Sequence, residues 1–174
     1  MKSLKELYRI GHGPSSSHTM GPRRAAEQYL ERHREAVAFR VTLYGSLAAT
    51  GKGHMTDWAI YQVLGESRTE IVWQPDVVLP YHPNGMKFEA RRDEGGPYDP
   101  WTVFSVGGGA LAEEGAATPE APEVYALNRL GDIKCWCETS GRSYWEYVDE
   151  CEGPSIWDYL ADVWEIMKEA VERG

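Results

Sequence analysis

The sequence predicts an α/β (α+β) fold, a mixed sheet with packed helices followed by a C-terminal helical segment, and three observations carry that expectation. Residues 1–109 alternate between helix-period and strand-period apolar patterns. From Gly131 the pattern is helical alone. The chain has 174 residues of which 42% are hydrophobic, enough to bury a core of its own. The predicted organisation is a core over 1–109, a flexible linker over 110–130 and C-terminal helices over 131–174.

The elements follow in order. Leu4, Leu7, Tyr8 and Ile10 suggest a short helix, which Gly11-His12-Gly13-Pro14 ends, and the run Ser15-Ser16-Ser17-His18-Thr19 reads as a loop. Pro22 suits a first helical turn, and Ala25, Ala26, Tyr29, Leu30 and His33 repeat at helical spacing, giving a helix from about Pro22 to Arg34. Val37, Phe39, Val41 and Leu43 alternate with Ala38, Arg40, Thr42 and Tyr44, the period of a half-buried strand that stops at Gly45. After the glycine-punctuated stretch Gly45 to Gly53, Thr56 can cap a helix that presents Ala59, Ile60, Val63 and Leu64 and ends at Gly65.

Ile71 to Trp73 and Val77 to Leu79 read as short strands. His82-Pro83-Asn84-Gly85 is a turn signal in which Asn-Gly tolerates positive φ, and Met86, Phe88 and Ala90 alternate after it, so a hairpin is expected. Trp101 to Val106 is a further strand ended by Gly107-Gly108-Gly109, and Ala110 to Glu123 is acidic, alanine-rich and broken by prolines. Three helices then carry Ile133, Trp136 and Cys137, next Tyr144, Trp145 and Val148, and last Ile156, Tyr159, Leu160, Val163, Trp164, Met167 and Val171. Gly153-Pro154-Ser155 separates the final two, and Lys168 and Arg173 near the end suit the helix dipole.

Charge and composition exclude several functions. Eighteen Lys and Arg against 27 Asp and Glu leave a net charge of −9, without the basic footprint that nucleic acid requires. No stretch reaches the roughly 20 apolar residues of a membrane span, and Met1-Lys2-Ser3-Leu4-Lys5-Glu6 lacks the apolar core of a signal peptide. Three cysteines are too few for a disulfide scaffold. The expectation is a soluble cytoplasmic protein with neither nucleic acid nor membrane as partner.

Candidate chemistry gathers in three segments, Pro14 to Thr19, Thr50 to Asp57 and His82 to Met86, each rich in histidine, glycine and small polar side chains. A helix start with free N–H groups and nearby hydroxyls can take a carboxylate or phosphate, and Ser15 to Thr19 precede such a helix. Plain capping, a surface histidine and a simple turn account for each segment taken singly. Gly45 to Lys52 is not a phosphate loop: five residues rather than four separate Gly45 from Gly51, and Gly53 stands where a Mg²⁺-binding hydroxyl belongs. Gly107 to Gly109 lacks the dinucleotide spacing. Cys135 and Cys137, two apart on a helix, face different sides and with Cys151 form no ready metal site, and no Gly-x-Ser-x-Gly elbow marks a serine hydrolase.

Taken together, Gly13-Pro14-Ser15-Ser16-Ser17-His18-Thr19-Met20-Gly21-Pro22, the run Leu43-Tyr44-Gly45-Ser46-Leu47 through Thr50-Gly51-Lys52-Gly53-His54-Met55-Thr56-Asp57, and His82-Pro83-Asn84-Gly85-Met86 resemble the β domain of bacterial iron–sulfur L-serine dehydratases, in the family's order. The C-terminal segment from Trp157 looks like the helix that leads into that family's catalytic α domain. The resemblance implies an L-serine ammonia-lyase, converting L-serine to pyruvate and ammonia, whose 4Fe-4S cluster lies in the α domain. It implies no metal ligand in this chain and no turnover by this chain alone. The implied partners are an α domain or subunit and L-serine; separately, the apolar face of the C-terminal helices predicts an interface, by self-association into a homo-oligomer or with an α domain. In fold the family is similar to the allosteric substrate-binding domain of 3-phosphoglycerate dehydrogenase, so the alternative is a non-catalytic module that senses L-serine or another small anion. Carried over by residue, Ser15, Ser16, Ser17, Thr19 and Thr56 would bind substrate, His18, His54 and His82 would serve as catalytic groups, and Asn84 would hold the amino or carboxylate group. Pro83 stands where relatives often have an acidic residue.

Overall fold

A computed structural model of the chain describes residues 1–93, 95–116 and 122–174. Two compact units form, one of Gly11–Thr118 and one of Met1–Ile10 with Pro119–Gly174.

The larger unit is an α/β structure around a mixed five-stranded sheet. Its strands are β1 (Ala38–Tyr44), β2 (Thr69–Gln74), β3 (Gly85–Arg91), β4 (Asp99–Gly107) and β5 (Ala110–Ala112), in the order β2-β1-β3-β4-β5. Only β1 and β2 are parallel. A parallel pair needs a crossover, and α3 (Gly45–Thr50) and α4 (Thr56–Leu64) lie within it. The alternation in β1 buries Phe39, Val41 and Leu43 against Met86, Phe88 and Ala90 of β3. Ala25, Ala26 and Tyr29 of α2 (Gly21–Arg32), with Leu47, Ile60 and Leu64, complete this core.

Helix ends follow their expected chemistry in part. Pro22 sits in the first turn of α2, and Gly65 closes α4 at a φ of 86°, a left-handed conformation that glycine adopts without a Cβ penalty. Thr56, expected as a cap, is instead the first residue of α4; Met55 precedes it at a φ of 57°, and the Thr56 hydroxyl is engaged elsewhere.

Other segments differ from, or add to, the pattern the sequence suggests. The serine run is not a loop: Ser16–Met20 forms a π-helical turn continuous with α2, closed by the Ser15 hydroxyl accepting from the His18 amide. The stretch after Gly45 holds a helix, α3. Val77 to Leu79 is not a strand; the Val77 carbonyl accepts from the Gly45 amide at 2.8 Å and Val78 is exposed, so β3 pairs with β1 and β4 rather than with this segment. Neither Asn84 nor Gly85 takes a positive φ; Gly85 instead stands where a Cβ would lie 2.8 Å from the Leu79 side chain. In the expected linker, Ala110–Ala112 pairs with β4 across a bulge at Ser105/Gly107, while 117–121 lie outside the described residues.

The smaller unit holds α1 (Leu4–Leu7), α5 (Leu130–Ser140), α6 (Tyr144–Glu152) and α7 (Ser155–Arg173). Tyr125, Tyr147 and Ile156 are its buried apolar residues. Ser143 and Glu146 form a reciprocal capping box at the start of α6. Among the described residues, no helix is long and apolar enough to cross a membrane.

Candidate functional site

The first two histidine segments meet in the larger unit. His18, on the π-helical turn, and His54, in the loop before α4, face each other with ring centroids 4.8 Å apart and planes tilted by 39°. His18 Nδ1 lies 2.9 Å from the Ser17 hydroxyl and Nε2 lies 3.2 Å from the Ser46 hydroxyl. A neutral imidazole has one N–H and one lone pair, so one serine accepts from the ring and the other donates to it. Burial pushes the His18 pKa below the ordinary histidine value of 6.5; the neighbouring His54 acts in the same direction and contact with Ser46 opposes both. His18 is therefore neutral at pH 7.

His54 is bonded differently. Its Nδ1 lies 3.0 Å from the Thr50 carbonyl. A carbonyl only accepts, so Nδ1 carries the hydrogen and Nε2 is left to take up or release a proton. Among the described residues, Nε2 has no hydrogen-bond partner.

The hydroxyls divide into two groups. Ser15 and Ser17 are half-buried, their oxygens 3.5 Å apart, and Ser16 is exposed. Thr19 and Thr56 are fully buried. The Thr19 hydroxyl accepts from the Ser15 amide at 3.2 Å and donates to the His54 carbonyl at 2.7 Å; the Thr56 hydroxyl donates to the His18 carbonyl at 2.5 Å.

The third segment is tied to the other two through main chain. The Ser46 amide donates to the Pro83 carbonyl at 3.2 Å, and Gly45, at a φ of 49°, leaves no room for a Cβ, which would lie 2.7 Å from that same oxygen. His82 Nδ1 accepts from the Asn84 amide at 3.1 Å, while the Asn84 side chain donates to the Ser105 carbonyl at 3.2 Å. His82 and Asn84 thus belong to a turn anchored beside Ser46, and no direct bond joins them to His18 or His54 among the described residues.

Ser46 was not among the candidates from sequence. It follows Gly45 in a block of small residues, and nothing in its spacing distinguishes it. Ser105 was missed as well: its hydroxyl is buried without a hydrogen-bond partner, and a Cβ on Gly21 would collide with it. The geometry offers hydroxyl donors and acceptors from Ser15, Ser17 and Ser46 around a neutral imidazole, with a second imidazole able to move a proton. That set suits a small polar ligand carrying a carboxylate, hydroxyl or amine.

Comparison with known proteins adds the following. The model of the family described as serine dehydratase beta chain matches residues 3–70 and 61–116. The L-serine dehydratase of Mycobacterium tuberculosis (strain CDC 1551 / Oshkosh) is 38% identical over 152 residues, covering 64% of this chain and 33% of that protein. The L-serine dehydratase of Streptomyces coelicolor is 29% identical over 229 residues, covering 99% of this chain and 49% of its own length. L-serine dehydratase 1 of Escherichia coli K12 is 28% identical over 224 residues, covering 100% and 49%. The chain therefore spans half or less of the length of these relatives. Matches longer than the 174 residues of this chain mean that the last two relatives carry additional residues within the matched span.

Proposed function

The chain belongs to the serine dehydratase beta chain family, and from that premise we propose that it is the β component of an L-serine ammonia-lyase, supplying polar groups to the binding of L-serine beside an α domain that holds an iron–sulfur cluster. The observation that supports this most is the His18–His54 pair and its serine hydroxyls, contributed by two of the three segments that resemble the family.

In this reading the Ser15, Ser17 and Ser46 hydroxyls bind the ligand's carboxylate or hydroxyl. Neutral His18 fixes two of those hydroxyls, and His54 Nε2 exchanges a proton with the bound amino acid. Asn84 and His82 bound the site from the turn anchored at Ser46. Cys135 and Cys137 on α5 and Cys151 on α6 do not fit a cluster: among the described residues, no group of three or more His, Cys, Asp or Glu side chains could hold a metal ion. In this proposal the cluster belongs to the α partner, and the roles here are confined to this chain's hydroxyls, amides and imidazoles.

The test is His54→Ala in the assembled enzyme. Turnover at saturating L-serine is expected to fall by about 10²- to 10⁴-fold, the range of a lost general acid or base. A second reading, a sensing module for L-serine, is favoured by one observation: every residue of the cluster lies in the single unit Gly11–Thr118. Under that reading His54→Ala leaves saturated turnover intact and changes the activation lag or the sigmoidicity.

A further inference from the structure

Two buried threonines join the histidine segments crosswise. Thr19 follows His18 and donates its hydroxyl to the carbonyl of His54; Thr56 lies two residues after His54 and donates its hydroxyl to the carbonyl of His18. Each segment thus supplies one histidine and one hydroxyl that grips the main chain of the other histidine. Both threonines are wholly inaccessible. The Thr19 oxygen also accepts from the Ser15 amide, which leaves it little capacity for a ligand.

We infer that Thr19 and Thr56 are positioning residues, a reciprocal latch that sets the separation of the His18 and His54 rings, and not ligand contacts. The inference deepens the proposed function, since it rests on the two imidazoles serving one site.

The surroundings are built for the latch. Gly51 accepts from the Thr56 amide at 2.9 Å, and a Cβ at Gly51 would stand 3.2 Å from the Thr56 hydroxyl and 2.7 Å from the Trp73 ring, so a side chain there presses on the bond. Met55, between His54 and Thr56, takes a φ of 57°. That conformation is unfavourable for a residue with a side chain and persists where the contacts around it fix the backbone. Bonds from each segment to the other are such contacts. Held this way, His18 keeps Ser17 and Ser46 on its two nitrogens, with the His54 ring beside it.

The test uses the full chain labelled with ¹⁵N-histidine, its imidazole titrations followed by NMR. Thr19→Val and Thr56→Val keep the shape and remove the hydroxyl; Thr19→Ser and Thr56→Ser keep the hydroxyl. The valine variants are expected to move the His18 midpoint up toward the ordinary histidine value, and the serine variants to retain the depressed one. Folded valine variants that titrate like the wild type would overturn the inference. Should a valine variant not fold, the wild type decides: a hydroxyl locked on a buried carbonyl exchanges slowly with water, so separate Thr19 and Thr56 hydroxyl resonances are expected, and rapid exchange of both overturns the latch. The proposed function fails separately. If His54→Ala in the assembled enzyme changes neither saturated turnover nor activation by L-serine while the variants split as described, the latch stands and the ligand reading falls.

Discussion

His18 gains two hydroxyl partners on folding and loses water, and the loss of water dominates its titration. Because its folded pKa lies below 6.5, the unfolded chain binds the proton more readily than the folded one. The stabilisation from keeping His18 neutral is therefore fully present above about pH 6.5 and is lost as the pH falls through the folded value. His18→Gln removes this dependence: between about pH 7.5 and 5.5 the urea midpoint of the wild type is expected to fall more steeply than that of the variant. The sequence made His18, His54, Ser15 and Ser17 legible because small polar residues and histidines crowd into glycine-punctuated segments. It could not show which way a hydroxyl points. Thr19 and Thr56 read as ligand contacts for that reason, and only the fold turns them inward toward the opposite segment's carbonyls.

At the scale of elements, the site depends on backbone that only small residues allow. Gly45 turns from β1 into α3 at a φ of 49°, with the Pro83 carbonyl where a Cβ would go. Gly45→Ala must move either β1 or the 82–84 turn, and it is expected to destabilise by about 1–3 kcal/mol in urea unfolding. The same shift carries Ser46 away from His18, and because contact with Ser46 raises the His18 pKa, the titration of His18 should move further below the ordinary histidine value. Met55 is the opposite case, a side chain where glycine fits, exposed and at positive φ. Met55→Gly is expected to stabilise by up to about 1 kcal/mol, read as a higher denaturant midpoint. The elements legible in the sequence were those with a sustained period: α2, α4, β1, β3 and β4 bury most of the residues that their spacing marks, whereas α7 forms as its period predicts but buries only Ile156 of its apolar stripe and leaves Trp164, Met167 and Val171 exposed. The turn at Ser16–Met20 and helix α3 were not legible, being five and six residues long and fixed by bonds to distant segments. Val77 to Leu79 misled because an apolar run resembles a strand even when its task is to cover: Leu79 lies over Gly85.

At the scale of the molecule, the two ends of the chain build one unit, which no local pattern announces. The composition shift after Gly131 marked the C-terminal helices, yet the short N-terminal helix belongs with them. Glu152, at the end of α6, joins these parts: its carboxylate accepts from the Ser3 hydroxyl and the Leu4 amide, both at 2.6 Å, and from the Tyr125 hydroxyl at 2.8 Å. Burial works to raise its pKa, but the bonds from Ser3, Leu4 and Tyr125 together outweigh burial and hold it below 4.5. This contribution is complete above about pH 4.5 and is lost as the pH falls through the folded value. Glu152→Ala removes three bonds to a charged acceptor and leaves the first amide of α1 unpaired, and it is expected to lower the stability of this unit by about 1–2 kcal/mol. Amide exchange distinguishes a local from a global effect. Protection should fall in α1 and α6 while the amides of β1 and β3 keep theirs, because the sheet unit has its own core in Phe39, Val41, Leu43, Met86 and Phe88. Equal loss of protection in both sets would mean that the two units unfold as one cooperative body, and that the histidine site depends on the C-terminal helices for its stability.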